Sequence, residues 1–129
     1  MSQRSAWVLS LTALLGSATA AAHHSFSAIF DAAKPVTLTG TVTRLEWMNP
    51  HTWIYLDVKR DDGSVDAWAF ELGSPNRLMR YGWNQNSLPT GQTVTITGSR
   101  ARDGSLKAAV DTVTLPDGKR LFGAQDTSQ

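Results

Sequence analysis

The order of elements predicts an all-β chain, a five-stranded OB-like Greek-key barrel with one short helix between strands 3 and 4. Two observations carry this. Apolar residues alternate along short runs separated by Gly, Pro, Asn and Asp turns, and the first run changes phase part-way, as a strand must if it serves both halves of a barrel. A small sandwich is the rival architecture, but it needs more strands than the pattern supplies.

Residues 1–22 read as a secretory signal peptide. Arg4 lies in a short positive region, Ala6 to Leu15 is an apolar run too short for a bilayer span, and Ala18 to Ala22 supplies small residues for a peptidase. The expected location is therefore periplasmic or secreted, with no membrane span after cleavage. About 107 residues then remain, enough for one core and too few for two.

Residues 23–35 are expected to form an N-terminal arm or a turn of helix that tucks Phe26, Ile29 and Phe30 against the body. The OB-like domain spans residues 36–123. In it Val36, Leu38, Gly40 and Val42 share one strand face while Leu45 and Trp47 fall on the other parity, which places a bulge near Thr43 and Arg44. Thr52 to Val58 alternates, with Ile54, Leu56 and Val58 facing the core. Asp61-Asp62-Gly63-Ser64 is a hairpin turn, and Val65 to Leu72 follows as strand 3 with Trp68 and Phe70. Ser74 as N-cap, Pro75 at the first helical position and Gly82 as a stop bracket the helix. Thr93 to Ala101 and Leu106 to Leu115 are strands 4 and 5, joined at Arg102-Asp103-Gly104-Ser105. A turn at Leu115 to Lys119 precedes Leu121 and Phe122, and residues 124–129 form a polar tail.

Composition removes several functions. The chain has no cysteine, so a disulfide framework, a thiol nucleophile, a thiolate zinc site, an iron–sulfur cluster and c-type haem attachment are excluded. It carries 12 Lys and Arg against 11 Asp and Glu, and loses Arg4 with the leader. A formally neutral mature chain with dispersed charges argues against nucleic acid as a partner, because phosphate binding rests on clustered cations.

The set Ala22-His23-His24-Ser25-Phe26, Leu38-Thr39-Gly40-Thr41-Val42, Trp47-Met48-Asn49-Pro50-His51, Glu71-Leu72-Gly73-Ser74-Pro75, Gly82-Trp83 and Ala101-Arg102-Asp103-Gly104 resembles a family of small exported bacterial proteins of unknown function. The resemblance spans nearly the whole mature chain and implies export and a small β-barrel, with no reaction attached. A looser similarity, in topology alone, is to periplasmic OB-fold proteins.

The candidate chemistry gathers at the corner between strands 1 and 2. His51 lies beside Met48, with Asn49, Trp47 and Trp53 around it, and the remaining histidines are His23 and His24 at the start of the mature chain. Cleavage after Ala22 leaves His23 with a free amine, while cleavage after Ala20 or Ala21 puts a histidine third from the terminus. Each arrangement offers the nitrogen donors that Cu(II) or Ni(II) prefers. The metal reading is thus a mononuclear copper site from His23, His24 and His51. The bland readings are solvated terminal histidines and a His51 that stabilises its turn.

Trp47, Met48, Asn49 and Trp53 are the candidate ligand-binding residues of an alternative, a non-catalytic interaction module that holds a periplasmic protein or glycan. Small barrels also fill their interiors with indoles, so at least two of the four tryptophans beyond the leader are expected in the core. Glu46 and Glu71 could form an acid/base pair, yet as strand-end residues they more ordinarily pair with Arg44 or Arg77. No hydrolase elbow, phosphate loop or metalloprotease helix is present. The sequence leans away from an enzyme.

Overall fold

The computed structural model describes residues 26–126. One long strand organises it. After a single turn of helix, α1 (Phe26–Ile29), β1 runs from Phe30 to Glu46. Its first part pairs antiparallel with β4 (Thr93–Ala101), and its last part, from Thr41, pairs with β2 (Trp53–Lys59). The changeover coincides with a register shift between Val42 and Arg44, the bulge that the phase switch predicts. β3 (Val65–Glu71) hairpins onto β2, and β5 (Lys107–Thr114) onto β4. Three parallel pairs between β3 and β5, Ala69 with Lys107 through Glu71 with Ala109, close the ring. Five strands joined in this order are an OB-type barrel, and closure leaves no free edge between β3 and β5.

Two elements differ from the sequence reading. The strand expected to start at Val36 begins at Phe30, because Phe30 and Asp31 already pair with Ala101 and Arg100; the chain carries Ala32, Ala33 and Lys34 before Pro35 meets Ser99. Those extra residues break the alternation, which hides the strand from periodicity. The run after the last turn also pairs: β6 (Arg120–Phe122) lies antiparallel on the end of β5. Three residues are too few to show a period.

Ile54, Leu56, Phe70, Val94, Ile96, Val110 and Val113 fill the interior. The helix α2 (Pro75–Arg80), capped by Ser74 Oγ accepting from the Arg77 amide, contributes Leu78 to the same core. Trp68 and Trp83 are both buried, and the Trp83 indole Nε1–H donates to the Phe122 carbonyl at 2.8 Å, so its polar atom is not stranded. A satellite cluster lies apart from this core, where Phe26 and Phe30 cover Ala101 and Ala109.

Candidate metal centre at the Asn49–His51 corner

β1 and β2 are joined by Trp47 to Thr52, with a cis peptide between Asn49 and Pro50. The corner is tied to the end of β3 by main chain: the Thr52 amide donates to the Gly73 carbonyl at 3.1 Å, and the Leu72 amide to the Thr52 carbonyl at 2.9 Å. Those bonds carry His51 over Glu71 and Leu72. Its Nδ1 lies 3.1 Å from the Leu72 carbonyl oxygen and 3.2 Å from Glu71 Oε1.

A backbone carbonyl and a carboxylate only accept hydrogen bonds. Nδ1 therefore carries the proton, and Nε2 is the nitrogen left to take a proton or a metal. A histidine backed by a carboxylate in this way is the usual form of a metal-ligating imidazole, because the partner orients the ring and raises its basicity. The ring is 43% exposed while the carboxylate is 13% exposed. Burial pushes the Glu71 carboxyl above its ordinary range, against the opposing pull of His51 and Lys107.

Behind Glu71 the chain end acts as a strap. The Gly73 amide donates to the Gly123 carbonyl, Gln125 Nε2 to the Glu71 carbonyl, and Arg77 to both the Gln125 carbonyl and, as an ion pair at 3.0 Å, Asp126. Arg77 is thus engaged with the tail and not with Glu71. The expected pairing of Glu46 with Arg44 does form, at 3.0 Å.

The other candidates divide. Met48 is 50% exposed and Asn49 is exposed at the corner. Trp47 is half-buried and packs on the main core, and Trp53 is half-buried in the row between Glu46 and Glu71. Next along β2, Tyr55 donates to Glu46 and has the Arg44 guanidinium 4.2 Å above its ring centroid, so one face of that ring is already covered. His23 and His24 lie outside the described residues. Among the described residues no three His, Asp or Glu side chains come together as a metal cluster.

Glu71 as the partner of His51 escaped the sequence reading, though a signal was present. Counting back from the turn at Asp61 to Ser64 pairs Lys59 with Val65 and hence Trp53 with Glu71. The residues just before Trp53 must then lie over those just after Glu71.

The seat of the N-terminal arm completes the surroundings. The Phe26 and Phe30 rings meet at a centroid distance of 5.6 Å over Ala101 and Ala109, and Ala109 is the direct β5 partner of Glu71. Arg102 grips the same arm: its amide donates to the Ile29 carbonyl at 2.9 Å, its Nε to the Ser27 carbonyl at 2.8 Å, and its Nη1 pairs with Asp31 at 3.3 Å.

Fold and corner together define a small OB-like barrel with a carboxylate-backed histidine on its outer surface. The chain belongs to a family of unknown function, DUF6152, which matches residues 12–110. It is similar to the dimeric N-terminal domain of the PriB protein from Thermoanaerobacter tencongensis, at 25% identity over 64% of this chain and 96% of that one, with a TM-score of 0.46. Among curated proteins there is no match. No helix among the described residues is long and apolar enough to cross a membrane.

Proposed function

We propose that this is an exported copper-binding protein, in which Cu(II) is held between the N-terminal histidines His23 and His24 and the Nε2 atom of His51. One observation carries the reading. Glu71, the carboxylate on His51, stands opposite Ala109, and Phe26 packs against the cluster that Ala109 forms with Phe30 and Ala101. Neighbouring strands lie ~4.8 Å apart. His24 is two residues from Phe26, and two extended residues span up to ~7 Å. A described arm that starts near Glu71 supports a site shared with His51, and imidazole and amine donors favour Cu(II). Zinc is less suited, since its structural sites ordinarily use four protein ligands.

Native mass spectrometry of the untagged protein recovered from the periplasm, before and after one equivalent of Cu(II), reads the true N-terminus and the metal content together. The expected result is a chain cut at or just before His23 that retains one copper against a mild competing chelator. His51→Ala should weaken Cu(II) binding at least ~10-fold and shrink the rise in melting temperature that copper gives the parent protein, a rise worth about 2.7 kcal/mol at a hundredfold excess over Kd. Unchanged affinity in His51→Ala would reduce the site to a peptide chelate at the terminus.

A further inference from the structure

We propose that the outer face around Trp53 is a binding site for one ring of a neutral β-1,4-linked glycan, with the indole as its platform and the carboxylates of Glu46 and Glu71 as its two polar walls. The proposal stands independently of the copper reading. Along β2 Ile54 and Leu56 are buried, so Trp53 and Tyr55 belong to the outward face. In register Trp53 has Glu46 of β1 on one side and Glu71 of β3 on the other, each one strand spacing of ~4.8 Å away. On the same face of β3 the small Ala69 stands opposite Tyr55, which leaves the sheet low beside the indole, and Lys107 of β5 follows it. Trp53 is half-buried, yet its indole N–H, unlike that of Trp83, has no partner among the described residues. It is a donor open to a ligand.

The charges decide the class of ligand. Glu46 accepts from the Arg44 guanidinium at 3.0 Å and from the Tyr55 hydroxyl at 3.1 Å, while Glu71 faces His51 at 3.2 Å and feels the attraction of Lys107. Each carboxylate thus has its own basic neighbour, so a cationic ligand would have to compete with groups already seated. A phosphate chain would meet a carboxylate on either side of the platform, which opposes a nucleotide. What remains is hydrogen-bonding capacity, in acceptor oxygens that their partners hold in place. A β-1,4-linked pyranose with equatorial hydroxyls carries axial C–H bonds on its faces and donors around its edge. Its face suits the indole, and its edge hydroxyls reach the carboxylates on both sides.

The experiment is an NMR titration of the isotope-labelled, metal-free protein with cellohexaose, a neutral β-1,4-linked hexamer, carried to millimolar concentration. The Trp53 indole N–H should shift and saturate, while the Trp83 indole N–H, bound to the Phe122 carbonyl, stays in place. Trp53→Ala should weaken binding at least ~10-fold, and Trp53→Phe, which keeps an aromatic face, should lose less. Glu46→Gln keeps an acceptor oxygen but gives up the charge-assisted bond, and should weaken binding roughly threefold. Maltohexaose, whose α-linkage turns successive rings out of one plane, should bind more weakly than cellohexaose. No shift at the Trp53 indole N–H across the titration would overturn the site, and so would an affinity unchanged in the Trp53 variants. Should Trp53→Ala fail to fold, the indole shift of the parent protein and the loss in Glu46→Gln decide: without either, the face is not a glycan site.

Discussion

Two turns of this barrel are built alike and do different things. Asp61-Asp62-Gly63-Ser64 joins β2 to β3, and Arg102-Asp103-Gly104-Ser105 joins β4 to β5. In each, the aspartate Oδ1 accepts from the amide and hydroxyl of the serine two residues on, and the glycine amide donates to the carbonyl three residues back. The glycines have φ of 85° and 77°. The difference lies in the arginine. Arg60 folds back on its own hairpin and pairs with Asp66 at 2.7 Å, whereas Arg102 reaches to Ser27, far back in the chain. One turn closes a hairpin and stops there, while its twin also fastens a distant segment beside the candidate site. A turn's local chemistry fixes its shape; what it joins depends on where the barrel puts it.

The strongest way to break the comparison is to remove the apolar seat on which the second turn depends. Phe30 is 2% exposed, and Phe30→Ala should cost about 3 kcal/mol of unfolding free energy, read by denaturant titration. By contrast, Val65, which follows the first turn, is 51% exposed, and Val65→Ala should stay within about 0.5 kcal/mol. Equal losses would mean that the second hairpin gains nothing from the arm.

A milder test asks whether the turns themselves are equivalent. A Cβ added at Gly63 or Gly104 meets nothing within 4 Å, so substitution is opposed by the left-handed backbone alone. Gly63→Ala and Gly104→Ala should each cost about 1–2 kcal/mol, and by similar amounts. A clearly larger loss at Gly104 would show that the grip of Arg102 on the arm also constrains the turn.

The same contrast explains what was legible in the sequence. Local chemistry was readable: the bulge near Thr43, the Ser74 cap, the inward face of β2, both turns, and a core holding at least two tryptophans, which are Trp68 and Trp83. What escaped was formed by residues distant along the chain. Glu71 meets His51 only because the corner is bonded to Gly73, and β1 starts at Phe30 only because Ala101 lies beside it. Neither leaves a periodic trace. The candidate site was half legible for the same reason: His51 and its exposed neighbour Met48 announce themselves by residue type, but Trp47 turned out to lie on the core and Arg77 to hold the tail.

The smallest expected effect is a difference in acid sensitivity between the twin turns. The Ser64 hydroxyl, and after it the Ser64 amide, hold Asp62 below the usual carboxylate range, and Ser105 does the same for Asp103. A carboxyl lowered in the folded state binds its proton less readily there than in the unfolded chain, where Asp titrates near ~3.9. Its contribution to stability is therefore present above that value and is lost as pH falls through the lower folded one. Asp62→Asn and Asp103→Asn keep an oxygen that can accept from serine but remove the titration, so each should flatten the loss of stability below about pH 4 in denaturant titrations. The two curves should not coincide. Lys107 adds its attraction at Asp103 and has no counterpart at Asp62, so the flattening should be greater for Asp103→Asn. Because the carboxylates are exposed, salt should shrink that excess by screening Lys107, while the hydrogen bonds from serine keep the shared part in place. An excess that survives high salt would point away from Lys107 and toward the different seats of the two turns.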